Sequence, residues 1–391
     1  MRRLLALLAL MAAPLRAGVP AYTPQLEARV FDRSWHLVAS RYWDRAKTGE
    51  KWAEARDHFR PLALRARDRQ SFYTILGEML ASLGDSHVYA IDPLQVAIGK
   101  AREAGHAAEG FGLTMLPDED GHWLVTRVLA ESSAAKAGVQ IGWEVGEVNG
   151  RPVDIDYQPT QGERARFNFV DENGTAHMLA LTAALEEPQP PRRTRRLSGN
   201  ILLIALDGFD IGDDKWLARI IAEKPAPSAI ILDLRDNDGG DADVIAKVAG
   251  RFFAEDRPLV GRLGRHENVQ MLRGTGERAY RGPLAVLVGP DSASGAEALA
   301  ALIDESGRGL TIGERTAGAL TGASEYELPD GGQLSVAEFD IRTPGGRRLE
   351  GVGLEPHISV KTGLADRRGG RDPVLDRALI VLKGSRSTSR R

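Results

Sequence analysis

The chain has 391 residues, which is long for one ordinary domain and suits two or three. Its 42% hydrophobic and 27% charged residues fit a folded soluble protein, and a net charge of −3 argues against a nucleic-acid binder or a polybasic membrane anchor. There is no cysteine, which excludes disulfides, thiolate catalysis, cysteine-ligated metals and lipoprotein acylation.

Met1-Arg2-Arg3, the apolar run Leu4 to Ala13 and small residues at Ala17 and Ala21 have the layout of an export signal over residues 1–21. No later segment approaches the roughly 20 apolar residues of a membrane helix. The expectation is a periplasmic or secreted protein with no stable membrane insertion after signal removal.

Residues 22–105 read as a helical region. Leu26, Val30, Phe31, Trp35, Leu37, Val38 and Tyr42 recur at helical spacing, and Phe72, Leu76, Met79, Leu80 and Leu83 repeat the pattern, with Asp68 and Ser71 available as entry caps. The second pattern stops at Gly84. Asp85-Ser86-His87-Val88-Tyr89 follows, placing a histidine just beyond a helix end, where it is either incidental or functional.

Residues 106–185 read as a small β-rich module. Gly110-Phe111-Gly112-Leu113 leads into a strand, Trp123 to Val128 supplies a partner, and Ser132 to Ala137 makes a short helix ended by Gly138. The succession GFGL, SSAAKAGVQIG and VNGRPV resembles a PDZ domain, although Trp143 stands where that family usually has Asp. The resemblance implies peptide binding by strand addition, with backbone N–H groups of the Gly110, Phe111, Gly112, Leu113 loop offered to a terminal carboxylate. A purely structural β module is the alternative. Residues 186–198, EEPQPPRRTRRLS, have the Pro and charge density of a linker.

From residue 199 to 383 the pattern becomes α/β. Ile201 to Leu206, Ala229 to Leu234 and Leu284 to Val288 read as buried strands, with helices at Trp216 to Ala222, Val244 to Phe253 and after Ser294. Glu325 to Leu328 and Gln333 to Asp340 form a hairpin about Asp330-Gly331-Gly332. Asp372 to Leu382 is a last amphipathic helix, and residues 384–391 are polar, basic and expected to be disordered. The acidic loop Asp233 to Gly240 lacks the spacing and terminal Glu of a calcium loop, so no metal is expected there.

Ser294, on the turn between the Leu284 strand and its helix, admits two readings. Ser294-Gly295-Ala296-Glu297 is a capping box, and a serine on a sharp strand-to-helix turn is also how a nucleophile is presented beside backbone N–H groups. Both roles can coexist.

Taken in order, LGDSHV, the PDZ-like module, DLRDNDGG, GPDSASGAE, GERTAG, LPDGGQ, TPGG and EGVGLEP resemble the tricorn-core and C-terminal processing peptidases, one family of serine peptidases. The resemblance covers nearly the whole chain after residue 21. It implies a multidomain α+β protein: a helical N-terminal region, a PDZ-like module and a C-terminal α/β core of crotonase or ClpP type. It implies an endopeptidase acting on unfolded or C-terminal polypeptide segments through an acyl-enzyme, without metal or organic cofactor.

One branch of that family uses a lysine after GE-x-T-x-G. Here Ala319 holds the usual position, and no lysine lies between Lys247 and Lys361. The tricorn-like branch implies instead Ser294 as nucleophile, His87 as base, Ser86 as its hydrogen-bonding neighbour and Glu350 as the acid, with Glu355 a rival in the same loop. The oxyanion donors it implies are the N–H groups of Gly239 and Gly295. His357 stands where the family usually has Asp. A non-catalytic carrier of peptides or hydrophobic ligands on the same fold is the competing class.

Overall fold

The computed structural model describes residues 20–103, 108–117, 121–153, 159–186, 190–264 and 267–388, so the expected export signal lies almost wholly outside the described residues. Helices α1 (Pro24–Arg41), α2 (Glu50–Ala63) and α3 (Arg69–Ala81) come first, then β1 (Tyr89–Ile91) and α4 (Pro93–Glu103). They are followed by β2 (Ala108–Gly110), β3 (Leu113–Pro117), β4 (Trp123–Val128), α5 (Ser133–Lys136), β5 (Glu144–Val148), β6 (Arg151–Pro152), β7 (Arg164–Val170), β8 (Ala176–Thr182) and β9 (Ala184–Glu186). The chain continues through β10 (Arg192–Leu197), β11 (Ile201–Leu206), α6 (Asp213–Ala222), β12 (Ala229–Asp233), α7 (Ala242–Ala249), β13 (Arg257–Gly264), β14 (Asn268–Leu272) and β15 (Leu284–Val288). It closes with α8 (Gly295–Glu305), β16 (Leu310–Gly313), β17 (Thr321–Glu327), β18 (Gln333–Arg342), β19 (Ile358–Ser359), α9 (Leu364–Arg368) and α10 (Pro373–Thr388).

Two compact units result. One combines residues 20–96, 190–361 and the final helix; the other combines residues 97–189 with 362–372. In the larger unit, six strands run in the order β10-β11-β12-β15-β16-β19, parallel except for the β10–β11 pair. Side chains of successive strand residues point to opposite faces, and β15 obeys this: Ala285 and Leu287 join the core with Val374, Leu375 and Ala378 of α10, whereas Leu284, Val286 and Val288 join that of α7 and α8. Both faces are therefore dry, which is why the run is continuously apolar.

A second, antiparallel sheet in this unit has the path β1-β18-β13-β14, with β17 also on β18. The N-terminal helices cover it. Val30, Phe31, Tyr42, Trp52, Phe72 and Met79 share a core with Leu334, Val336 and Ala337 of β18. The side chain of Asp68 accepts from Ser71 N at 2.8 Å and starts α3. Short β1 pairs with β18, Tyr89 opposite Ser335, so the segment just before it is fixed to the sheet.

The smaller unit is built on the sheet β3-β4-β5-β7-β8 with β6 on β5, and on the separate pair β2–β9. Phe111, Val125, Trp143, Val145, Phe167 and Phe169 fill its core.

Three expectations are corrected. The segment expected as a linker, 186–198, contains β10, which pairs in register with β11 from Arg192 opposite Leu206 to Leu197 opposite Ile201. An edge strand tolerates and even favours charge, so RRTRRL reads as a connector by composition while its backbone completes the sheet. The tail expected from residue 384 continues α10 to Thr388. Between Tyr22 and Leu83 the two helical patterns are joined by a third helix, α2, whose Trp52, Ala55, Phe59 and Ala63 meet the core at helical spacing but are separated by charged residues.

Candidate active site

The turn after β15 is drawn tight by its own polar atoms. Ser292 Oγ donates to Leu234 O at 2.7 Å and accepts from Gly289 N at 3.0 Å, while Ala293 N donates to Asn237 O at 2.9 Å. Ser294 then takes φ 51° and ψ −114°. A helix cap ordinarily has extended backbone, and a non-glycine residue held at positive φ stores strain that its surroundings must impose. Here they do. Ser294 N donates to Ala319 O at 2.8 Å and to Glu297 Oε2 at 3.2 Å.

Glu297 is completely buried and carries more than the capping box requires. Besides Ser294 N, its carboxylate accepts from Thr316 Oγ1 at 2.6 Å, Gly318 N at 2.9 Å and Ala319 N at 2.8 Å. Burial pushes its pKa up while these four hydrogen bonds pull it back.

His87 is positioned by Asp85. The Asp85 carboxylate accepts from Tyr42 Oη at 3.1 Å, Trp43 Nε1 at 3.2 Å, Thr321 Oγ1 at 3.0 Å and His87 N at 3.1 Å. Ser335 Oγ holds the His87 carbonyl at 2.8 Å. The imidazole Nδ1 lies 2.9 Å from Ser86 Oγ, which lies 2.9 Å from Glu350 Oε2. Glu350 also accepts from Ser86 N at 2.8 Å and from Leu320 N at 2.8 Å, and is only 4% exposed. An ionised carboxylate only accepts, so the Ser86 hydroxyl donates to Glu350 and accepts from Nδ1–H. That leaves Nε2 of the neutral ring with its lone pair. Burial lowers the His87 pKa below its ordinary value, and the negative charges of Glu350 and Asp85 partly restore it.

Ser294 and His87 share no hydrogen bond among the described residues; a continuous polar path joins them. It runs from Ser294 N to Ala319 O, through Leu320 N to Glu350, and on through Ser86 to the imidazole. Gly351 N, bonded to Gly318 O at 2.7 Å, ties the Glu350 loop to the same segment.

Gly239 backs directly onto the serine: a Cβ there would lie 2.7 Å from Ser294 Cβ and 3.2 Å from Gly295 N, and its φ is 115°. Its N–H, however, donates to Asn237 Oδ1 at 2.9 Å, and Asn237 Nδ2 in turn holds Leu206 O at 3.0 Å. The Gly295 N–H has no acceptor among the described residues, as expected of the first turn of a helix.

Glu355 is placed elsewhere, on the surface, 2.8 Å from Arg315 Nε. Lys247 is exposed on α7, and Lys47 donates to Leu83 O at 2.6 Å. In the β module, Gly110 ends β2, Phe111 is buried, Gly112 N donates to Glu186 Oε1 at 2.6 Å, and Leu113 starts β3 opposite Val128. Among the described residues no group of three or more His, Asp or Glu is placed to hold a metal ion.

Asp85, Asn237, Ser292 and Thr316 were not anticipated as site residues, and Glu297 only as a cap partner. Serine three residues before Glu297 was the available signal; the Thr316 to Ala319 donors lie some twenty residues away and leave no local pattern.

A half-buried, carboxylate-oriented imidazole tied to a strained serine at a helix entrance is equipment suited to acyl transfer, and the class is a serine-type peptidase. The family model described as peptidase family S41 matches residues 200–360, and the tricorn protease C1 domain model matches residues 26–81. A carboxyl-terminal-processing protease of Synechocystis sp. is 27% identical, over 92% of this chain and 87% of the relative. Tricorn protease homolog 1 of Streptomyces coelicolor is 26% identical over 90% of this chain, which spans only 35% of that relative. Among solved structures, the photosystem II D1 C-terminal processing protease aligns with a TM-score of 0.60 at 23% identity, covering 86% of this chain and 93% of that one. No helix of the described residues is long and apolar enough to cross a membrane.

Proposed function

We propose that the chain is an exported serine endopeptidase that cleaves unfolded polypeptide with Ser294, His87, Ser86 and Glu350. His87 Nε2 takes the Ser294 proton as Oγ attacks the scissile carbonyl carbon. The tetrahedral oxyanion accepts from Gly295 N–H, and from Gly239 N–H once that group turns from Asn237. Collapse breaks the C–N bond, the imidazolium gives its proton to the leaving amine, and a water activated by the same imidazole releases the acyl chain. Glu350 acts through the Ser86 hydroxyl to hold the ring and stabilise its cationic form. The β module, read as PDZ-like, takes an extended substrate segment along β3.

The observation that carries this reading is the unbroken hydrogen-bonded path between the strained serine and the histidine, with a buried carboxylate on the remote side of the ring. A serine-directed fluorophosphonate should label Ser294 in the full chain. Ser294→Ala and His87→Ala should each lower hydrolysis of an unfolded polypeptide by about 10⁴-fold or more without lowering the melting temperature. Undiminished turnover in either variant would reject the assignment.

A further inference from the structure

The Glu186 side chain, from the end of β9, reaches the loop on which a module of this kind would read a terminal carboxylate. Its Oε1 accepts from Gly112 N–H at 2.6 Å. A Cβ on Gly110 would lie 2.1 Å from the same oxygen and 2.9 Å from Oε2, so the carboxylate lies flat across the glycine and needs the missing side chain. Glu186 is not on a loose end: β9 pairs with β2, Ala108 opposite Glu186 and Gly110 opposite Ala184. The loop is also held from behind, since Phe111 O accepts from Ala134 N at 3.1 Å and Gly112 O accepts from Leu129 N at 2.8 Å and Ser132 Oγ at 3.3 Å. It has little freedom to turn other N–H groups outward.

A glutamate side chain and a peptide's α-carboxylate are the same kind of anion, and two of them beside one N–H repel each other. Meanwhile β3 ends its sheet and pairs only with β4 among the described residues, so one edge remains open to an added strand.

We propose that Glu186 is a specificity-determining residue: by filling the anion position beside Gly110 and Gly112, it makes the module select internal extended segments of a polypeptide rather than C-terminal carboxylates. This rests on the peptide-binding reading of the module given above. Backbone pairing on β3 supplies the affinity, and the free carboxylate of a chain end adds nothing to it.

The test uses the full chain carrying Ser294→Ala to stop turnover, and one fluorescent peptide made as the C-terminal acid and as the C-terminal amide. With Glu186 present, anisotropy titrations should give dissociation constants within about twofold of each other. With Glu186→Ala, the acid should bind about tenfold tighter than the amide, as a charge-assisted hydrogen bond becomes available to it. Glu186→Gln, which keeps the shape and removes the charge, should favour the acid by about threefold and serves if the alanine variant folds poorly. A strong acid preference with Glu186 in place would overturn the inference, as would no preference in either variant. If neither peptide form bound any variant, the peptide-binding reading itself would fall, an outcome distinct from these because no binding would then be seen at all.

Discussion

The catalytic unit and the β module each set a glutamate against backbone N–H groups, with different numbers of donors. In the module, Glu186 meets a single N–H among the described residues, that of Gly112. In the catalytic unit, Glu297 and Glu350 grip one strap, Thr316 to Leu320, from two directions: Glu297 takes Thr316 Oγ1, Gly318 N and Ala319 N, and Glu350 takes Leu320 N. Glu297 rises from the helix that carries Ser294, and Glu350 supports Ser86 beside His87. The strap therefore links the helix entrance at Ser294 to the segment that carries His87. A carboxylate with several buried donors preorganises the structure around it, whereas one with a single donor occupies a place.

The largest effect should come from cutting the strap on the histidine side. Glu350→Ala leaves Ser86 N, Ser86 Oγ and Leu320 N without their acceptor and removes the charge that supports the imidazolium. We expect kcat/KM to fall by about 10²- to 10³-fold. The pH profile gives a second reading. Burial already holds the His87 pKa below its usual value and Glu350 raises it, so the parent's acid limb should lie below about pH 6.5 and move to lower pH in the variant. A limb that moved upward, or an unchanged plateau, would separate Glu350 from the imidazole.

How much of this was written in the sequence depends on the range of each interaction. Leu284 to Val288 was legible because a strand buried on both faces must be apolar throughout, and Ser294 because a turn must end the strand before its helix. His87 and Glu350 were reached through motif order, since nothing local to either says that Ser86, next to His87, bonds a carboxylate 264 positions away. The strap was invisible for the same reason. Arg192 to Leu197 was misread because composition reports solvent exposure and β10 is exposed on an edge, while its hydrogen bonds depend on β11. In the module, the glycines of GFGL announced a tight loop, but its occupant comes from Glu186, at the far end of the domain.

The stability of the two glutamate sites should differ in the same direction. Glu297→Ala leaves Thr316 Oγ1, Gly318 N and Ala319 N without their acceptor, while Ser294 N keeps Ala319 O, and we expect it to cost about 3 kcal/mol or more in urea titrations. Glu186→Ala, with one N–H to re-solvate at a half-buried position, should cost about 1 kcal/mol or less. Equal losses would remove the distinction between an organising carboxylate and an occupying one.

Glu27 offers the most pointed contrast, because it is fully buried yet neither carboxylate oxygen has a hydrogen bond among the described residues. Arg69 approaches it only to 3.6 Å and lies 3.7 Å from Asp330, which is itself satisfied by Tyr73 Oη and Gly332 N. Burial, with the like charge of Asp330 added and Arg69 opposing, pushes the Glu27 pKa up to about 7. The unfolded value is near 4.3, so the folded chain binds this proton more tightly than the unfolded chain. Its contribution to stability is therefore full below about pH 4.3 and is lost as the pH rises through about 7. Glu27→Gln keeps the shape without the charge and should stabilise the chain by about 1–2 kcal/mol at pH 8, the gain shrinking as the pH falls toward 5. If Glu27→Gln were instead destabilising at pH 8, the distant Arg69 would be compensating the buried charge, and hydrogen bonds would not be what separates Glu297 from Glu27.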